Sequence, residues 1–502
     1  MTRTLLVAAG IHTVDPEAPA HPRCVLIDGE TIAWVGADPA QAPAHQDVVD
    51  LGGAWITPAF VDAHVHATAT GLAQTGLDLA GTASAAELLD RLRRHATDAG
   101  PVILGTGWDD FRWPQGRLPS AVEFTAAAGG RVVLLMRVDA HSCLVDESVL
   151  AELALGALDG VERGPDGLPT GWLREEASEE AQRHVRSLIP SADMAAARHA
   201  ACDAALRLGI AAFHEMGHPG LSGLDDARAW AAGQWPVDVD TWWAELDLAA
   251  AVDNGLRPGG DLFLDGSIGS CTAATTSPYG AAGGNGELFH ADDAVAAWFT
   301  ACTAAGLGGG VHAIGDRAIE QALHALEAAA SVHGAAAVRT CRHRMEHVEL
   351  PTRDQVRRMG QLGVIASVQP AFDAVWGGTD GLYAERFGAA AAEESNPLSW
   401  FAEDGVRLAF GSDSTVTPLD PLGALRAATA HRGGCSVTPS AALEAHTFGG
   451  HFAGRRDTVG RCRAGWRADL AVWSADPLAV AATAGVRCLA TLVRGLPAYG
   501  AL

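Results

Sequence analysis

Short apolar runs alternate with alanine-rich, helix-favouring stretches through the middle of this 502-residue chain, and few folds accommodate that rhythm. The runs are Ala59–His64, Ile210–Glu215, Val237–Trp243, Leu262–Asp265, Gly309–His312, Arg344–His347, Val364–Gln369 and Leu408–Asp413. Strands separated by helices predict a parallel sheet, because a parallel partner is reached only through a crossover and the helix then covers the sheet face. Eight such units predict an α/β chain folded as a (β/α)8 TIM-type barrel.

The two ends read differently. Leu5–Ala8, Cys24–Ile27, Thr31–Val35 and Asp47–Asp50 are strand-like, and so are Ala468–Trp473 and Val486–Val493. Residues 1–57 and 455–502 are therefore expected to build one small β-sandwich beside a barrel spanning 58–454. Residues at about 70–205 lie between the first two barrel strands. They carry strand candidates of their own (Val102–Thr106, Arg131–Arg137) and an acidic, helical stretch at Leu173–Arg186. They are expected to form an inserted subdomain and part of a lid.

Composition narrows the function classes. A net charge of −25 at pH 7 argues against nucleic acid or an anionic membrane as partner. No apolar run is long enough to span a bilayer, and the one near the start is too short for a signal peptide. The nine cysteines are scattered, with no CxxC pair, and read as free thiols in a reducing compartment. A cytoplasmic protein acting on a small molecule is expected; homo-oligomerisation stays open. All 35 basic residues are arginine, and there is no lysine.

Ligand-type residues sit at the ends of the barrel strands. His64 and His66 are two apart, so in a strand they point the same way and can grip one ion. His312, His347 and Asp413 finish three later strands. In a (β/α)8 barrel these ends converge on one pocket. Four histidines and an aspartate gathered there predict a divalent metal, with zinc expected, one or two per chain.

The wording around these residues resembles the amidohydrolase superfamily. Gly53-Ala54-Trp55-Ile56-Thr57-Pro58-Ala59-Phe60-Val61-Asp62-Ala63-His64-Val65-His66 is similar to its entry motif. His312-Ala313-Ile314-Gly315-Asp316-Arg317-Ala318-Ile319, Arg344-Met345-Glu346-His347 and Gly411-Ser412-Asp413 resemble the amidohydrolase family 3 branch of N-substituted formamide deformylase-like hydrolases. So do Gly107-Trp108-Asp109, Asp139-Ala140-His141-Ser142, Asp265-Gly266-Ser267-Ile268-Gly269-Ser270 and Ala468-Asp469-Leu470. The resemblance implies that His64, His66 and Asp413 hold one metal, and that His312 and His347 help hold it or a second one. It implies a catalytic set of Asp413, His312 and His347. The expected reaction is hydrolysis of a C–N, amide-type bond by a metal-activated water, with Asp413 passing the water proton to the leaving group. A lactonase, esterase or deaminase on the same metal scaffold is the alternative. A non-catalytic barrel would leave gaps among the ligands, and all five positions are filled.

One departure stands out. Many members of this family carry a lysine four residues before the Asp-Gly pair, and a carboxylated lysine can bridge two metals. Here the position is Asp261. Counted along an extended strand, Asp261 lies on the order of 13 Å deeper than Asp265 and is expected to miss the metal. Glu215 and Asp265 are the expected substitutes, as ligands or as partners of the histidines, around a single metal. Asp139, His141, Gln369 and Trp108 are the expected substrate contacts. Glu346 is expected to point away from His347.

Overall fold

The computed structural model describes residues 3–110, 113, 118–138, 142–280, 283–479 and 485–502. Asp139 and His141 lie outside the described residues. The chain divides into two compact units, one of residues 1–66, 202–217 and 227–502, the other of residues 67–201 and 218–226.

The larger unit holds two four-stranded parallel sheets. The first runs in the order β4 (Arg257–Pro258), β3 (Asp238–Trp243), β2 (Ile210–Gly217), β1 (Phe60–Val65). The second runs β5 (Gly310–Ala313), β6 (Arg344–His347), β7 (Ile365–Val368), β8 (Arg407–Phe410). Every residue of β1, β2, β5, β6 and β7 is buried, as parallel pairing under helices requires, and the charged and histidine side chains among them are buried with the rest. Backbone hydrogen bonds join the two sheets at both edges. At one edge the Gly260 N–H donates to the Gly310 carbonyl at 3.0 Å and the His312 N–H to the Leu262 carbonyl at 2.9 Å. At the other, the Asp413 N–H donates to the His64 carbonyl at 2.8 Å and the His66 N–H to the Ser414 carbonyl at 3.0 Å.

Helices follow the strands for local reasons. The helix Asp316–His333 begins on an acid and ends on a histidine, which suits its dipole, and its buried Ile319, Ala322, Leu323 and Leu326 recur at helical spacing. Thr352 and Gln355 form a capping box on Arg353–Leu362, and Gly363 closes it in the left-handed region.

Of the eight expected strands, Leu262–Asp265 differs. The ladder strand is the two-residue β4, and the later segment touches β5 through the single bridge of Phe263 with His312. Gly259 and Gly260, at φ of 78° and 84°, bend the chain between them.

Both termini contribute to one β module. Trp55–Pro58 pairs antiparallel with Leu470–Trp473, inside a five-stranded sheet that also takes Gly10–Ile11, Cys488–Val493 and Leu496–Gly500. A four-stranded sheet of Thr31–Gly36, Cys24–Asp28, Arg3–Val7 and Asp47–Asp50 completes it. Leu6, Val25, Ile56, Leu470 and Leu492 share one core.

The smaller unit is built on a six-stranded sheet with helices such as Ala85–Ala96 and Ala121–Ala128. Leu173 and Arg174, expected in a helix, end the strand Pro169–Arg174, and the helix starts at Glu175. Trp108 is fully buried in this unit's apolar core and donates its indole N–H to the Leu135 carbonyl at 2.8 Å. The expectation that Trp108 contacts substrate is corrected: with its face packed and its one donor satisfied, the residue has nothing left to offer a ligand.

Candidate metal centre

β1 carries His64 one residue before its end, and the chain continues into His66 with the period-two geometry that puts both imidazoles on one side. β5 supplies His312 and β6 supplies His347. Asp413 follows β8 after Gly411, where the backbone passes so close to β1 that an added Cβ would lie 2.5 Å from the His64 nitrogen. His347 and Asp413 have φ of 70° and 52°. A left-handed backbone at two non-glycine residues is strain of the kind that functional sites retain.

The side chains meet. The Asp413 Oδ1 lies 3.4 Å from His64 Nε2 and 3.3 Å from His66 Nε2. The ring centroids of His312 and His347 are 4.5 Å apart, and those of His64 and His347 4.8 Å. A sixth residue stands among them. Asp261 places Oδ1 at 3.2 Å from His312 Nδ1 and 3.3 Å from His347 Nε2, and Oδ2 at 3.5 Å from His66 Nε2. The expectation that Asp261 sits too deep is therefore corrected. The centre lies at the depth of Asp261, because His64 is buried inside its strand and the bend at Gly259 and Gly260 turns the segment toward it.

Neither expected substitute joins the donor groups, though Asp265 stands beside His312 as a partner of that histidine. Asp265 accepts backbone N–H groups from Ala274, Ile314 and Gly315 at 2.8–3.0 Å, so its oxygens already bind the loop after β5. Burial pushes its carboxyl up to about 6. Its nearer oxygen stays 3.7 Å from His312 Nε2. Glu215 belongs to none of the ligand sets. Its neighbour His214 faces Arg344, whose Nη1 lies 2.7 Å from His214 Nδ1. Alternation along β2 turns Glu215 the other way, where its charge acts on Cys202.

Three histidines have their tautomers fixed by outer partners. The His64 Nδ1–H donates to Glu346 Oε2 at 2.9 Å, the His347 Nδ1–H to Gln369 Oε1 at 2.9 Å, and the His312 Nε2–H to the Gly266 carbonyl at 3.2 Å. Each bond leaves the other ring nitrogen with its lone pair facing the centre. Gln369, expected at substrate, thus holds a ligand histidine, while its Nε2 has no hydrogen-bond partner. Glu346 is a functional residue that the sequence reading passed over. It is fully buried and paired with Arg344, whose Nη2 is 2.7 Å from Oε2. Burial alone would raise its carboxyl, but Arg344 and His64 hold it below the usual range. An Arg-x-Glu pair in a buried strand was the available signal, since positions i and i+2 share a face.

These donors fit a divalent cation. Two donors each about 2.0–2.2 Å from a tetrahedral ion stand roughly 3.3–3.6 Å apart. The separations here run from 3.2 to 3.5 Å around Asp413 and Asp261, with His64 Nε2 to Asp261 Oδ1 at 3.9 Å. His64 Nε2 and Asp413 Oδ1 are buried without a hydrogen-bond partner. A buried nitrogen lone pair and a buried carboxylate oxygen left that way are costly unless a cation takes them. His66 has the most open side chain of the six, at 18% exposure, and marks the side from which the centre is reached.

Comparison with known proteins agrees with this chemistry. The model of the Amidohydrolase family matches residues 47–499. N-substituted formamide deformylase of Arthrobacter pascens is 26% identical over 99% of this chain and 98% of its own length. Protein LONG AFTER FAR-RED 3 of Arabidopsis thaliana is 29% identical over 76% of this chain and 69% of its own. Among solved structures, an uncharacterized metal-dependent hydrolase of Pyrococcus furiosus matches with a TM-score of 0.76 at 26% identity, over 95% of this chain and 100% of that one. The chain belongs to the amidohydrolase family, in the branch that its strand-end motifs resemble.

Proposed function

We propose that this chain is a metal-dependent hydrolase that cleaves a C–N, amide-type bond of a small molecule, with zinc as the expected metal. The observation that carries the reading is the gathering of four histidines and two aspartates around His64 Nε2 and Asp413 Oδ1, which find no hydrogen-bond partner among the described residues. We read the two edge-linked sheets as one closed (β/α)8 barrel, which puts all six donors at one end of the strands. A divalent metal held there supplies an acidified water and a polarised carbonyl. The chain's own residues supply the rest. His64, His66, His312, His347 and the two aspartates would hold the metal. Asp413 would accept the proton that the water loses and return it to the leaving nitrogen. Glu346, Gln369 and the Gly266 carbonyl keep the histidines turned inward.

The amide preference rests on likeness to the formamide deformylase along almost the entire length of both chains. A cytoplasmic setting fits the nine cysteines, all of them free thiols.

The test is a hydrolysis screen of N-formyl amines, N-acyl amines, cyclic amides, lactones, esters and amino-heterocycles, on protein stripped by chelation and on protein reloaded with zinc. Turnover of an amide that disappears on stripping and returns on reloading is the expected result. Turnover confined to esters, lactones or amino-heterocycles would shift the assignment to an esterase, lactonase or deaminase on the same centre. Loaded protein inert toward every class would remove the amidase reading.

A further inference from the structure

The donors do not form one set. His64, His66 and Asp261 come together in one group, His312, His347 and Asp261 in a second, and His64, His347 and Asp413 in a third; Asp261 is the residue common to the first two. Its two oxygens face different histidines. Oδ2 lies 3.5 Å from His66, and Oδ1 lies 3.2 Å from His312, 3.3 Å from His347 and 3.9 Å from His64. Asp413 completes the first group through its contacts with His64 and His66. The geometry points to a two-metal centre in which the plain carboxylate of Asp261 is the bridge, one oxygen to each ion; this rests on the metal-dependent reading above.

Two physical requirements support it. Two divalent cations at about 3.5–4 Å repel strongly, and an anion placed between them offsets that repulsion. Asp261 is the anion so placed, with oxygens beside His66, His312 and His347. The bridge must also be short enough for its position. Gly259 and Gly260 allow this, since a Cβ at Gly259 would lie 2.0 Å from the Gly310 carbonyl oxygen. That close approach carries the backbone in beside β5, and the short aspartate then reaches the histidines directly. Without any lysine in the chain, a carboxylated lysine cannot form, so loading needs no carbon dioxide.

The experiment uses the full-length protein, stripped by chelation and titrated with Zn2+ in degassed, bicarbonate-free buffer, with bound metal counted by elemental analysis. A second arm loads Mn2+ and reads its electron paramagnetic resonance. About two zinc ions per wild-type chain, without bicarbonate, and a spin-coupled manganese pair are expected. In Asp261→Asn, zinc falls to at most one and the coupling disappears, with the circular dichroism spectrum unchanged. One ion per wild-type chain, or two uncoupled ions, overturns the bridge and leaves a mononuclear hydrolase standing. Two coupled ions retained in Asp261→Asn also overturn it. No bound zinc in wild type removes the metal-dependent reading itself. If the variant does not fold, the wild-type coupling and its independence of bicarbonate still decide.

Discussion

The proposed mechanism asks two competing things of Asp413, to grip a cation and to accept a proton. Its Oδ1 faces His64 and His66, and its backbone N–H is already spent on the His64 carbonyl. Asp413→Asn keeps an oxygen for the metal and removes the proton acceptor. Turnover should fall by about 10² or more, with metal content near that of wild type. Near-normal turnover in the variant would move the base to another group. Gln369 tests a different link. Gln369→Leu removes the acceptor that fixes His347 through Nδ1. Metal affinity should drop about 10–100-fold in competition with a chelator, and Gln369→Glu, which keeps an acceptor, should recover part of it. Affinity unchanged in the leucine variant would show that packing alone orients His347. At this scale the ligands were legible where alternation holds, as with His64 and His66. Glu346 was not, because attention to His347 assigns its neighbour to the opposite side. The Glu346 carboxylate does point elsewhere, and the elsewhere is His64. His347 reaches the same centre through a left-handed backbone that no periodicity announces.

Elements explain why Asp261 was misplaced. Seven of the eight expected strands carry a ladder strand within a few residues of the expected bounds, because most parallel, doubly covered strands are written as runs rich in apolar residues; Arg344–His347 is the exception. Leu262–Asp265 is just such a run, but it follows a Gly-Gly bend and makes one bridge. Counting depth along an extended strand therefore put Asp265 at the metal and Asp261 below it. Packing, not the apolar pattern, sets that depth. Gly260 has φ of 84°, and an added Cβ would lie 2.7 Å from the Trp242 Cβ and 2.8 Å from the Met216 sulfur. Gly260→Ala should lower stability by about 2–4 kcal/mol, combining left-handed strain with overpacking. It should also loosen metal retention on dialysis, since Asp261 is the next residue. Gly306 has a comparable φ of 69° with open space around it. Gly306→Ala should show the strain alone, about 1–2 kcal/mol, with metal retained. Equal metal loss in both variants would break the link between the bend and the centre.

Across the whole molecule, acid stability depends on buried groups that titrate in one window with opposite signs. Burial, the largest effect at each, pushes the carboxyls of Asp62 and Asp265 up to about 6 and that of Glu349 to about 7. Their folded forms hold protons more tightly than the unfolded chain, so they favour folding at low pH and oppose it as pH rises. His343 and His446 go the other way, pushed down to about 4 by burial. The unfolded chain takes up protons below about 6.5, while these folded histidines stay neutral. Their contribution is present above that value and is lost as pH falls toward 4. The wild-type profile is thus flattened by opposition, and a difference between two proteins is the sharper measurement. His446 is buried, and its Nδ1–H donates to the Val61 carbonyl at 2.9 Å. In His446→Gln the amide can keep a donor for that carbonyl but does not titrate. All other groups are common to both proteins and cancel. The stability of wild type relative to the variant should therefore decline between about pH 6.5 and 4, by on the order of 3 kcal/mol, and hold steady from pH 7 to 8. Chemical denaturation at matched pH values reads it. A difference independent of pH through that window would mean that His446 takes its proton while folded, against the burial that this packing imposes on it.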